Sequence, residues 1–403
     1  MRKKPDTWET TELGDLVSAE KPIVYGIVQA GPEFPGGMPY IKSTNVGGAI
    51  DPSRLSRTSP AIARKYRRSV VQPGDIVFSL RGNIGALSIV PEQLPEANLT
   101  QGTARISLNK RALNHFVAQA LLAPDLQKRI SVVSKGSTFR EISLEELRVL
   151  EIPLPPIAEQ RKIAAILRTW DDAIEKLIAL RAANAKNLVG LTQRLLGRGG
   201  VHHSKWPLQP ISAIATRVRR QNGGGNHPVM TISARSGFLM QSDKFARDMA
   251  GTSVDRYTLL HEGEFAYNKG NSLAALYGCI YRLDRPTALV PFVYFCFALK
   301  PGHDHGFYEH LFAAGALNHQ LSRLINSGVR NDGLLNLNVE DFFGCKVPVP
   351  PLEEQRRIAL ALSAAKQELS LLDEEIKALT RQKRGLMQKL LTGEWPVQVE
   401  KDI

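Results

Sequence analysis

The sequence predicts a mixed α/β (α+β) protein with a pseudo-twofold internal repeat: two globules separated by two long helices that pair antiparallel as a coiled coil. Three observations predict it. PLPPIAEQRKIA at 153–164 returns as PVPPLEEQRRIA at 348–359. The 195-residue offset holds without a gap from 152–196 onto 347–391, and the 16 identities among those 45 positions crowd the two ends, as duplication leaves them and chance matching does not. Through both copies apolar residues recur at alternating steps of four and three, the seam of a coiled coil.

The elements follow in chain order. Trp8, Leu13 and Leu16 open the first globule, and Trp206, Ile211 and Ile214 open the second at equal spacing. GDIVFSLRGN (74–83) is echoed by GEFAYNKGN (263–271), with Tyr66 and Tyr257 a few residues upstream. Runs such as IVFSL, ARISL and FVYFCF read as strands, and HFVAQALLAPDLQKRI reads as helix. Asp75 and Glu264 are matched acids at a turn before a strand, which assigns them a structural role. EISLEELRVLEIPLPP and LNLNVEDFFGCKVPVPP close the two globules.

Each long helix begins after prolines, which suit the turn preceding a helix, and carries Glu159 or Glu354 in its first turn, where a carboxylate favours the helix dipole. The first seam is Ile163, Leu167, Trp170, Ile174 and Leu177, then Leu188, Leu191 and Leu195, interrupted at Arg181 and Asn184. The second runs from Ile358 to Leu390 and is interrupted at Lys383. About 40 residues make a helix of roughly 60 Å. An antiparallel register with Ile163 opposite Leu390 matches the two seams, sets Leu188 over Ala365 and places Trp170 against Lys383 as a cation–π pair. Pairing of each helix with another chain is the alternative. GRGGVHHSK (197–205) separates the halves, glycine-rich and polar.

Net charge is +13 with a pI near 9.7, which draws the chain to a polyanion, nucleic acid first among them. Three cysteines cannot pair completely, so a reducing, cytoplasmic setting is expected, with no signal peptide and no membrane span. A phosphate-cradling GxxxxGK[ST] and an Asp/Asn-Pro-Pro-aromatic methyltransferase stretch are both missing, and GGG at 223–225 reads as a loop. His303, His305 and His310 in HDHGFYEH read as a polar loop leading into a helix, and no metal or catalytic set is expected.

The paired PxPPxxEQRxIA motifs, the helix ends GLTQRLL and GLMQKLL, and GDIVFSLRGNIG together resemble the specificity subunit of type I restriction–modification systems, over essentially the whole chain. The resemblance implies target-recognition domain 1 (1–155), spacer helix 1 (156–198), a linker (199–205), target-recognition domain 2 (206–350), spacer helix 2 (351–393) and a C-terminal tail (394–403). It implies a bipartite, asymmetric double-stranded DNA target with one half read by each domain and the spacer set by the helices. It further implies a non-catalytic chain that directs adenine methylation and restriction, docking two methyltransferase (modification) subunits and two restriction/translocase subunits. S-adenosylmethionine, ATP and Mg then belong to those partners, and this chain holds no cofactor. A specificity subunit for a fused methyltransferase–nuclease, and a coiled-coil scaffold that binds no DNA, stay open.

Arg and Lys read guanine, Asn and Gln read adenine, and such groups are sought in loops beside strands and glycine. That selects Lys42, Asn45, Arg81, Asn83 and Arg140 in the first globule, and Arg235, Lys269, Asn271, Arg330 and Asn331 in the second. The clusters Arg64, Lys65, Arg67, Arg68 and Arg217, Arg219, Arg220 are expected to hold phosphates.

Overall fold

A computed structural model describes residue 5 and residues 7–134, 140–197, 206–244, 256–270, 274–325 and 334–399. The chain forms two compact units, Met1–Ile178 with Glu374–Ile403, and Ala179–Asp373. Both boundaries fall inside the long helices, so each unit combines one globule with the start of one helix and the end of the other.

In the first unit a four-stranded antiparallel sheet runs in the order Val24–Tyr25, Thr103–Ile106, Ile76–Ser79, Leu87–Ile89. Its two central strands are buried at every position, because both sheet faces are covered. Alternation along one strand feeds two cores: Ile76 and Phe78 pack with Phe116 and Val117 of the helix Asn114–Leu122, while Val77 packs with Ile41 and Leu99 of a small three-stranded sheet. The strand before the long helix, Glu151–Leu154, returns to pair with Glu9–Glu12.

The second unit repeats this plan with other residues. Its sheet runs Ala215–Arg217, Phe295–Leu299, Phe265–Asn268, Cys279–Arg282. Phe265 and Tyr267 join the core under the helix His305–Ala313, and Ala266 joins the other core. Leu208–Pro210 pairs with Lys346–Pro348. The turns before the central strands are alike in detail. Gly74 and Gly263 sit at φ +88° and +85°, and the backbone N–H groups of Gln72 and His261 donate to Asp75 and Glu264 at 2.9 and 2.8 Å. The matched acids therefore close turns.

The twice-written motif locks each long helix to its own globule. Glu159 accepts from the Trp8 indole at 3.0 Å and Glu354 from the Trp206 indole at 3.1 Å. Gln160 is fully buried; its oxygen accepts from Leu113 N–H, and its amide donates to the carbonyls of Arg111 and Pro155. Gln355, equally buried, accepts from Asp304 N–H and donates to Pro350. Leu113 and Asp304 are the N-cap residues of the two globules' helices. A glutamine is needed because the site asks one side chain to accept and donate at once.

The long helices span Ile157–Leu196 and Leu352–Leu391, 40 residues each. In the first unit Lys383 ion-pairs with Asp171. In the second Arg181 forks onto Asp373 at 3.0 and 3.2 Å, and Asn184 donates to Glu368 at 2.8 Å. These contacts lie within one residue of the register that opposes Ile163 and Leu390. Each polar interruption of the first seam, and Lys383 of the second, finds a partner on the facing helix, the arrangement that fixes coiled-coil register. The expected Trp170–Lys383 contact is replaced by the Asp171 ion pair, since a full negative charge attracts an ammonium more strongly than a ring quadrupole. Among the described residues no helix is long and apolar enough to cross a membrane.

Candidate nucleic-acid interface

In the first unit three segments meet at one end of the sheet: Lys42–Gly48, Leu80–Ala86 and Arg140–Ile142. Asn83 lies against Gly47, whose φ of +115° and absent Cβ leave room for the amide, and Gly82 lies beside Ser43. Arg81 bridges to Glu141 both through the backbone and by an ion pair of 2.6 Å. Four of the predicted base readers, Lys42, Asn45, Arg81 and Asn83, are thereby brought together, with Arg140 at the start of the third segment. Their availability differs. Asn45 accepts from Lys42 N–H and closes the short turn Ser43–Asn45, so its oxygen serves the loop. Lys42 stretches over Tyr40 and donates to Ser56 at 2.8 Å. Arg140 donates to the Ser131 carbonyl. Arg81 and Asn83 are exposed.

The second unit builds the matching edge from other residues. Gly270 bridges to Leu334 where Arg81 bridges to Glu141, and Leu335 N–H donates to the Lys269 carbonyl as Ile142 N–H donates to Leu80. Lys269 extends over Phe295, its ammonium 5.3 Å from the ring centre. Asn268 donates to the Ile232 carbonyl, and Tyr281 donates to Ala234, which ties the turn bearing exposed Arg235 to the Lys269 segment. Asn271, Arg330 and Asn331 lie outside the described residues.

Of the expected phosphate contacts, Arg64, Lys65, Arg67 and Arg68 are all exposed, on the helix Pro60–Lys65 and the turn after it. Arg64 and Arg67, with Arg57, border a cavity of about 630 Å³. Arg219 is exposed, and Arg217 is half-buried, its guanidinium pulled below the usual range by burial and by Arg219. Arg220 forks onto Glu264 at 3.1 and 3.2 Å and donates to the Leu259 carbonyl, the geometry of a brace for the strand turn.

Residues 5–181 match the family described as the type I restriction modification DNA specificity domain. That match takes in the first globule and the long helix behind it as far as residue 181. The type I restriction enzyme EcoBI specificity subunit of Escherichia coli is 30% identical over 199 residues, 48% of this chain and 41% of that one, so the match spans under half of that relative. A putative type I restriction enzyme MjaX specificity subunit of Methanocaldococcus jannaschii is 24% identical over 409 residues, covering 96% and 94% of the two chains. The crystal structure of the type I restriction–modification S subunit from M. genitalium shares the fold, with a TM-score of 0.60 at 17% identity over 97% of this chain and 98% of that one.

In this chain the histidines of HDHGFYEH have other uses. His305 stacks on Phe265, His303 meets Tyr308 edge-on, and His310 bonds Ser363. Burial is the first cause that holds all three below the ordinary imidazole range. Among the described residues no group of three or more His, Cys, Asp or Glu could hold a metal. Sequence reasoning passed over Arg105, a buried cation that donates to the carbonyls of Val70 and Pro22. Its place inside the strand Thr103–Ile106, among apolar neighbours, is the signal that separates it from a surface arginine.

Proposed function

We propose that this chain is the DNA-recognition subunit of a type I restriction–modification complex and that each globule reads one half of a bipartite, asymmetric target. One observation carries the reading: the same sheet edge is built twice and furnished differently. Arg81 and Asn83 stand at the first, Lys269 and Arg235 at the second. Unlike side chains on like frames suit unlike half-sites. The exposed Arg64–Arg68 cluster and the overall charge of +13 supply sequence-independent attraction to phosphate.

The chain itself directs modification and restriction without catalysing either. Two modification subunits dock on the paired helices and two restriction/translocase subunits join them in the cytoplasm. S-adenosylmethionine, ATP and Mg act on those partners. The test is a methylation map of DNA from cells expressing the cognate modification subunit with and without this chain. A split motif with a fixed gap that appears only with the chain supports the reading; methylation indifferent to the chain refutes it.

A further inference from the structure

The duplication kept one helix twice while the surroundings diverged, so an identity between the copies marks a shared use. Most identities have their use inside the chain. The prolines shape the turn, Glu159 and Glu354 hold the indoles, Gln160 and Gln355 hold the N-cap residues, and Ile163, Leu167, Ile358 and Leu362 are core. Gly190 and Gly385 have none. Each lies well inside a 40-residue helix, exposed, where a Cβ would meet nothing within 4 Å. Glycine is the poorest helix former after proline, so its retention at both positions asks for a reason outside the chain.

The residues sharing that face agree as well. Four positions earlier stand Lys186 and Arg381, three later Gln193 and Gln388, four later Arg194 and Lys389. All are exposed except Lys389, which is half-buried and pairs with Glu394. Lys and Arg trade places between the copies while the charge is kept. In the first unit Gln388 also borders a cavity of about 280 Å³, together with Thr10, Pro124, Arg129, Met387 and Thr392.

We propose that Gly190 and Gly385 are two equivalent seats for an acidic helix of the modification subunit, one subunit crossing each long helix close to its backbone. This rests on the function proposed above. A bare Cα lets a partner's helix come nearer than any side chain permits. Cations one turn to either side pair with its carboxylates, and two like seats suit two identical partners. Nucleic acid fits less well: a phosphate gains from the cations, but the middle of a helix offers it no unpaired N–H and no reason for a missing Cβ.

The test titrates the full chain with its cognate modification subunit, comparing wild type with Gly190→Leu, Gly385→Leu and the double variant. Each single variant keeps or raises the unfolding midpoint of the free chain, since leucine is the better helix former and has room. It weakens one of two partner sites tenfold or more, and the double variant weakens both. Two tight sites in every variant would overturn the proposal, as would a loss confined to DNA affinity measured without the partner. A wild-type chain that takes up no modification subunit would instead overturn the function on which the proposal rests.

Discussion

The indole of Trp8 donates to the carboxylate of Glu159 at 3.0 Å across 151 residues of sequence. The bond fastens the start of the chain to the first turn of a helix that the rest of the globule has yet to reach. Trp8→Phe removes the donor and leaves the half-buried carboxylate unsatisfied. About 1–2 kcal/mol is lost, and the calorimetric transition of the first unit falls by roughly 2–8 °C. An unshifted transition would show that water replaces the indole without cost.

Gln160 is the stricter requirement. Gln160→Ala strands Leu113 N–H and two carbonyls in a buried site. A loss of about 3 kcal/mol is expected from the groups left unpaired, read as the denaturant midpoint. Gln160→Glu does no better, because a carboxylate cannot donate to Arg111 and Pro155.

Arg81→Ala and Lys269→Ala divide the target. Each is expected to relax one half-site, by about 1–3 kcal/mol of base discrimination, and to leave the other half-site unchanged. Selection of bound sequences from a random duplex library reads this directly. Relaxation of the same half-site by both variants would break the assignment of one globule to each half.

Cys296 and Cys345 report on alkaline stability. Burial pushes the Cys296 thiol up to about 12 and the Cys345 thiol up to about 11, from an ordinary value of 9.0. From about pH 9 upward the unfolded chain loses protons that the native chain keeps, so stability falls as pH rises towards those values. Cys296→Ala flattens that fall. In the native protein at pH 8, half-exposed Cys279 is the first thiol to react with a disulfide reagent.

Acid acts on the second unit through its histidines. His303, His305 and His310 are all held below 6.5, by burial first. Their contribution is complete above 6.5 and is lost as pH falls through their lowered values, when the unfolded chain binds protons first. His310→Gln removes one proton from that linkage and makes the acid limb of the stability curve shallower, as a pH series of unfolding midpoints would show.

The long helices were legible because a heptad repeats over 40 residues and the two copies vouch for each other. Their register was legible because Arg181, Asn184 and Lys383 interrupt the seams at places where only a polar partner fits. The matched turns at Asp75 and Glu264 were legible as a repeated acid after glycine. The order of strands was not, since short runs such as IVFSL carry no record of their neighbours. Nor was the fate of each polar group. Asn45, Arg220 and Arg105 are the residue types that read DNA, but a loop closing on itself, a glutamate 44 positions away and a buried strand claim them first.

The first unit's core includes Met387, Leu390 and Leu391 beside Trp8 and Phe116. Its last side chains are therefore translated some 200 residues after Ile178, behind the whole second globule. At about 5–20 residues per second that is a wait of roughly 10–40 s. During it the nascent chain carries an open apolar face on the first globule. The globule that is synthesised first is the one that must be completed last.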